Sequence, residues 1–130
     1  MMNMLGIESL DLAEKAGQLL RLLGQAERVS ILLVIGDGEA CVCHLEAALG
    51  LRQAYISQHL MALRQAGIVT ARRDGRNIFY RLETSELLDL IRQAGRLAGL
   101  PETELPFQSP PTVLGNCPCP HCTGEESACG

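Results

Sequence analysis

Six cysteines stand in this chain of 130 residues, and five of them are bunched in two short runs. Cys41 and Cys43 flank Val42, and the run Cys117-Pro118-Cys119-Pro120-His121-Cys122 lies near the far end, with Cys129 just beyond it. Thiolates are soft ligands, so the grouping suits a thiophilic ion such as Cd(II), Pb(II) or As(III). Arsenite takes three thiolates in a pyramid, and Cd(II) or Zn(II) usually takes four tetrahedral ligands. Cys41 and Cys43 are therefore half a site, which Cys117, Cys119 and Cys122 could complete, with His121 and Cys129 in reserve. About 17 residues separate Leu100 from Cys117, a reach of roughly 55 Å if extended, so the tail could serve either subunit of a dimer. Closing so long a loop adds only about 0.6 kcal/mol per doubling of its length.

Geometry limits how the first pair can work. Residues two apart on a regular helix point about 200° away from each other, so Cys41 and Cys43 can face one ion only from a distorted or terminal turn. Gly36-Asp37-Gly38 supplies a terminus just upstream, and a helix N-terminus also favours the thiolate. Gathering both sulfurs would then deform a regular first turn. The bland alternative is two small apolar side chains in a core. The tail has its own alternative, a structural Zn(II) knuckle made by Cys117, Cys119, Cys122 and Cys129. A metal-free dithiol switch, sensing oxidants or reactive sulfur, is a further reading of the same thiols. Cys119-Pro120-His121-Cys122 also has the CxxC form of thiol-disulfide oxidoreductases, but no thioredoxin-like βαβ pattern surrounds it, and an enzyme is not expected.

The elements that must position these residues read as one domain over 1–100 and a Pro- and Cys-rich tail over 101–130, since all six prolines lie between Pro101 and Pro120. With 47% hydrophobic residues, 3% aromatic and no Trp, the core must be Leu, Ile, Val and Ala, which suits packed helices and argues against a β-sandwich. No apolar run approaches the roughly 20 residues that span a bilayer, and the first residues lack a signal-peptide pattern. A cytoplasmic protein with reduced thiols and no membrane partner is expected. Ser9 can cap a first helix with Leu12, Ala16, Leu19, Leu20 and Leu23 on one face. A second helix, about Gln25 to Ile35, is apolar almost all round. A short third helix holding Leu45, Ala48 and Leu49 breaks at Gly50. The fourth runs from Arg52 to about Ala66, with Ile56, Leu60 and Leu63 inward and Gln53, Ser57, Gln58 and Arg64 largely on other faces. Two helices joined by a tight glycine turn form a helix-turn-helix pattern.

Next come strand-like runs, Ile68 to Arg73 and Arg76 to Leu82, around Asp74-Gly75, a strong hairpin signal. Ile78, Tyr80 and Leu82 form one face of the return strand, and the tip carries Arg72, Arg73 and Arg76. An arginine-tipped hairpin directly after a helix-turn-helix reads as the wing of a winged helix, suited to phosphates or the minor groove. Ser85 caps a fifth helix to about Leu100. The fold class is thus mainly α with a small β-hairpin, in the order α-α-α-α-β-β-α, and excess apolar surface on the first and last helices implies a homodimer through them. The net charge of −4 hides an asymmetry: residues 52–81 carry +5 and the remainder −9. Counterion release depends on charge at the interface, so the basic stretch can still meet nucleic acid. A solvated arginine face is the alternative.

The run from Glu39 to Leu82 resembles the ArsR/SmtB family of winged-helix metal-sensing repressors. The resemblance rests on Cys41-Val42-Cys43 followed by Leu45, Leu49-Gly50-Leu51, Ile56-Ser57-Gln58-His59-Leu60, Leu63, Ala66-Gly67-Ile68-Val69, and Asp74-Gly75-Arg76 with Tyr80. With its flanking helices it covers residues 8–100. It implies a dimeric repressor that leaves double-stranded operator DNA when an inducer ion binds. It also implies DNA reading by Gln53, Tyr55, Ser57, Gln58 and His59 on the recognition helix and by Arg72, Arg73 and Arg76 on the wing. His59 has an alternative role, an interior hydrogen bond that orients the helix. The chain departs from the pattern at His44, where cysteine-pair members commonly have Asp; His44 is either a nitrogen ligand or a polar surface residue. The fifth helix has no His, so the family's zinc and nickel site looks absent, which favours Cd(II), Pb(II) or As(III).

Overall fold

A computed structural model describes residues 3–101, with side chains from residue 10 onward, in the order α1 (Asn3–Leu22), α2 (Ala26–Ile35), β1 (Ala40–Cys41), α3 (Val42–Leu49), α4 (Gln53–Gln65), β2 (Val69–Asp74), β3 (Asn77–Leu82) and α5 (Glu86–Leu97). The tail cysteines Cys117, Cys119, Cys122 and Cys129, with His121, lie outside the described residues. Helix α1 is longer than the capping signal implies, and Ser9 sits inside it. The residues upstream, Met4, Leu5, Ile7 and Glu8, include good helix formers and no proline, so a favourable cap at Ser9 does not stop the helix. Its C-terminal end packs on the core through Leu19, Leu22 and the following Leu23, while Leu10, Leu12 and Leu20 are exposed.

Helix α2 supplies the centre. Ile31, Leu32 and Ile35 are fully buried, whereas Val29, Leu33 and Val34 are half-buried, so one flank remains open. Each buried aliphatic side chain contributes about 1.5–3 kcal/mol. Gly50 ends α3 at φ 68, its N–H donating to the Glu46 carbonyl, and Arg52 enters α4 in extended conformation. Ile56, Leu60 and Leu63, spaced i, i+4, i+7, are buried as that spacing requires. Gly67 at φ 77 closes α4, with the Ile68 N–H reaching the Leu63 carbonyl.

The hairpin forms, one residue out of the expected register. Asp74 pairs with Asn77, so its loop residues are Gly75 and Arg76. A third strand was not legible: Ala40 and Cys41 pair antiparallel with Tyr80 and Phe79, giving the order β1-β3-β2. Strand β3 is therefore central. Tyr80 and Leu82 pack on the core from the expected face, but the opposite face holds Phe79, which is fully buried. Helix α5 buries Leu87 and Leu88, and its first turn is capped by Thr84 Oγ1, which accepts from the Glu86 N–H, rather than by Ser85. Among the described residues no helix is long and apolar enough to cross a membrane.

The turn between α3 and α4 offers a clean test of backbone strain. Nothing lies within 4 Å of a Cβ built on Gly50, so Gly50→Ala should cost about 1–2 kcal/mol from the left-handed backbone alone. Urea denaturation should show a lower midpoint with an unchanged slope.

Candidate functional site

Cys41 ends β1 and is at once the N-cap of α3. Its φ of −91 and ψ of 171 are extended, and its Sγ accepts the His44 N–H at 3.4 Å. The sulfur thus stands where Ser or Asp usually satisfies one of the free N–H groups of a first turn. The residue is 1% exposed, and its sulfur is not in a disulfide. Cys43 follows two residues on and is half-buried. The terminal turn that chelation by this pair demands is present. Among the described residues no three His, Cys, Asp or Glu side chains are gathered closely enough to hold a metal ion. Two thiols fit a soft ion in donor type but not in number, and further ligands must come from elsewhere. His44 is 3% exposed, which removes the surface reading of that residue.

The strand pairing ties this turn to the wing. Cys41 opposes Phe79, and Phe79 opposes Arg72. Directly paired residues share a face of a sheet, so thiol, ring and guanidinium form one cross-strand row. Arg72 lies 5.1 Å from the Phe79 ring centroid and forks onto Glu39, with Nε donating to Oε2 at 3.1 Å and Nη2 donating to Oε1. The Glu39 hydrogen bond, then its charge, pushes the Arg72 pKa further up. Arg72 was expected at DNA. In the structure its guanidinium lies on Glu39, the residue two before Cys41. Arg73 and Arg76 are exposed and, among the described residues, carry no ion pair. Glu39 and Phe79 were missed, because pairing across 33 and 38 residues has no local signature.

On α4 the expected reading residues divide. Gln53, Tyr55 and Gln58 are exposed and Ser57 is half-buried on the outer side. His59 is 6% exposed and lies inside. Its spacing explains this: position 59 is three after Ile56 and four before Leu63, on the apolar face. Arg28 Nε donates to His59 Nδ1 at 3.1 Å. Of its two roles, His59 takes the interior hydrogen bond. Burial first, then the charge of Arg28, lowers its pKa, against a smaller opposing effect of Glu27, so the ring is neutral at neutral pH.

The profile of the family described as "Bacterial regulatory protein, arsR family" matches residues 26–71. Three similar relatives are the HTH-type transcriptional repressor SmtB of Mycobacterium tuberculosis, the biofilm growth-associated repressor of Agrobacterium fabrum and the arsenic resistance transcriptional regulator ArsR1 of Pseudomonas putida. The first is 38% identical over 68% of this chain and 66% of its own length, slightly under two thirds. The second is 38% identical over 72% of this chain and 80% of its own. The third is 53% identical over 39% of this chain and 40% of its own. Among solved structures, reduced HlyU from Vibrio cholerae superimposes with a TM-score of 0.64 at 33% identity, covering 72% of this chain and 98% of that one. The homodimeric winged helix-turn-helix DNA-binding domain of Mb0332 from Mycobacterium bovis gives 0.61 at 26%, covering 71% and 85%.

The wing arginines should separate in a salt titration of duplex binding. Arg76→Ala should weaken binding to every duplex and reduce the slope of log K against log salt by about 0.9, the value for one phosphate contact. Arg72→Ala, whose charge Glu39 already offsets, should leave the slope within about 0.3 of wild type. Equal slope changes would show that Arg72 leaves Glu39 for phosphate.

Proposed function

The chain belongs to the arsR family of bacterial regulatory proteins, and from that premise we propose that it is a homodimeric cytoplasmic repressor released from operator DNA by a thiophilic ion. The ion is Cd(II), Pb(II) or As(III), held by Cys41 and Cys43 with Cys117, Cys119 and Cys122 of the tail. DNA is read by Gln53, Tyr55, Ser57 and Gln58 in the major groove, with Arg73 and Arg76 on phosphates. The family is one of transcriptional regulators, not enzymes.

The observation that carries this reading is the double role of Cys41. When bound, the ion supplies a strong thiolate-binding centre. Drawing the Cys41 sulfur toward such an ion would strain its bond to the His44 N–H, and with it the cap of α3, which packs on α4. The same residue lies in the row that ends at Arg72 on the wing. Ion and DNA thus favour different states of one turn, which is what a coupling free energy between two sites requires. Names among the relatives agree: two are repressors, and one is a regulator of arsenic resistance. Dimerisation is supported by the Mb0332 homodimer and by an open apolar groove of about 610 Å³ lined by Leu20, Val29, Leu33, Leu90 and Ile91.

A second reading rests on the placement of Cys41 and Cys43 two residues apart at one terminal turn: oxidation of cysteines, with no metal, would be the signal. One experiment tests both. Fluorescence anisotropy on a duplex selected from random sequence, at fixed salt with reduced protein, is titrated with As(III), Cd(II), Pb(II) and Zn(II). At least one of the first three should weaken binding about 10- to 100-fold. Cys41→Ser should abolish that response, and truncation after Leu100 should blunt it. If no ion weakens binding, metal sensing is wrong. Release by a thiol oxidant in the presence of chelator would establish the redox reading instead.

A further inference from the structure

Arg28 joins three helices. Its Nη1 donates to the Leu22 carbonyl at the end of α1 at 2.9 Å, and its Nε donates to His59 Nδ1 on α4 at 3.1 Å. One turn before His59 on α4 stands Tyr55, its ring 4.5 Å from the imidazole centroid at an interplanar angle of 83°. Tyr55 is 40% exposed and belongs to the outer side of the helix. The chain of contacts therefore runs from the end of α1, through one guanidinium and one buried ring, to an aromatic side chain at the surface. The acceptor lone pair of Nδ1 lies in the ring plane, so a bond from Arg28 fixes the rotation of the imidazole. An edge-to-face neighbour at this distance is then fixed in turn.

We propose that Arg28 and His59 are positioning residues for operator recognition: they set the pose of Tyr55 on α4, and they do so only while His59 is neutral with its proton on Nε2. The proposal rests on the DNA-binding part of the reading above and not on any inducer. Because Nδ1 accepts, the single proton of the neutral ring must be on Nε2. Nε2 is buried and, among the described residues, has no hydrogen-bond partner. A buried polar group left without a partner calls for a reason, and the orientation that Arg28 imposes supplies one. A second proton would have to go on Nδ1, where it would face the Arg28 Nε–H, donor against donor and cation against cation. That bond cannot survive, the ring turns, and Tyr55 loses its support.

The direction of the pH effect follows from the groups around the ring, Arg28 and Glu27 of α2 and Tyr55 of α4. Burial and Arg28 outweigh Glu27, so the folded protein holds the His59 pKa below the ordinary 6.5. Above 6.5 neither folded nor unfolded chain takes the proton and operator affinity is level. As pH falls below 6.5 the unfolded chain protonates first, stability declines, and operator affinity falls as pH nears the lowered folded value. General electrostatics works the other way, since an acidic protein becomes more cationic and binds DNA better as pH drops.

The test uses the full chain, reduced and without added metal, against the selected duplex and an unrelated duplex at pH 7.5 and 5.5, below the melting temperature at each pH. Wild-type binding to the selected duplex should weaken at the lower pH, by less than about tenfold because a single proton taken up below 6.5 can do no more, while binding to the unrelated duplex does not weaken. His59→Asn, whose Oδ1 can accept from Arg28 at every pH, should remove the pH dependence. Arg28→Met should lower selected-duplex affinity about tenfold with less than about a twofold change on the unrelated duplex, and Arg28→Lys, with a single donor nitrogen to span two separated acceptors, should fall between. A long-range ¹H–¹⁵N spectrum of the wild type, with three histidines to assign, should show His59 as the Nε2–H tautomer at pH 7.5. An Nδ1–H tautomer, pH dependence that persists in His59→Asn, or equal losses on both duplexes in Arg28→Met would each overturn the proposal. The tautomer and the wild-type pH profile decide it even if Arg28→Met does not fold.

Discussion

The pairing of Cys41 with Phe79 is the constraint on which the functional part of the molecule depends. A winged helix-turn-helix has two parts that must hold a fixed relation, the helix pair and the hairpin, and here they are hydrogen-bonded through a strand only two residues long. Strand β1 covers the outer edge of β3, which makes the hairpin a three-stranded sheet instead of the marginal two-stranded ribbon it would otherwise be. The residue that completes this strand also caps α3. Helix and wing are therefore set by one backbone segment, and displacement of that segment is felt in both.

Magnitudes favour this segment as a control point. A cap contributes about 0.5–2 kcal/mol when its acceptor is oxygen, with sulfur at the weaker end, and a cross-strand pair contributes about 0.2–1 kcal/mol. Their sum, at most about 3 kcal/mol, overlaps the lower part of the roughly 1–3 kcal/mol typical of coupling between two sites. The Arg72–Glu39 pair does not change that conclusion, because both partners are reached by solvent and such pairs contribute little to stability. Its effect is geometric: bidentate contact and the Phe79 ring hold one arginine in a defined place beside the turn.

Helices α2 to α5 and the hairpin were legible because their apolar spacing, glycine stops and Asp-Gly turn act over a few residues. What was illegible was long-range pairing. Strand β1 is too short to show a period, and the partnerships of Glu39 with Arg72 and of Arg28 with His59 link residues 33 and 31 apart. His59 is a different case. Its position relative to Ile56 and Leu63 already placed it on the buried face, but its residue type and its motif pointed to DNA, and spacing prevailed because the apolar face of α4 has to be buried. Ser9 shows the reverse: a good capping residue had no effect where the chain before it could continue the helix.

These placements bear on how an acidic protein can read DNA at all. Of the +5 between residues 52 and 81, Arg72 is offset by Glu39, so the local excess is smaller than the sequence shows. At physiological salt, charges beyond about 8 Å are largely screened, which shields the basic stretch from the more distant acidic groups but also leaves it few cations of its own. On the proposed reading, affinity depends on the pose of a few groups, Tyr55 and the glutamines on α4 and Arg73 and Arg76 on the wing, more than on total charge. A binder that works by pose is one that small rearrangements can release. On the proposals above, the buried Arg28–His59 bond and the Cys41 cap are places where a single proton or a single ligand would produce such a rearrangement.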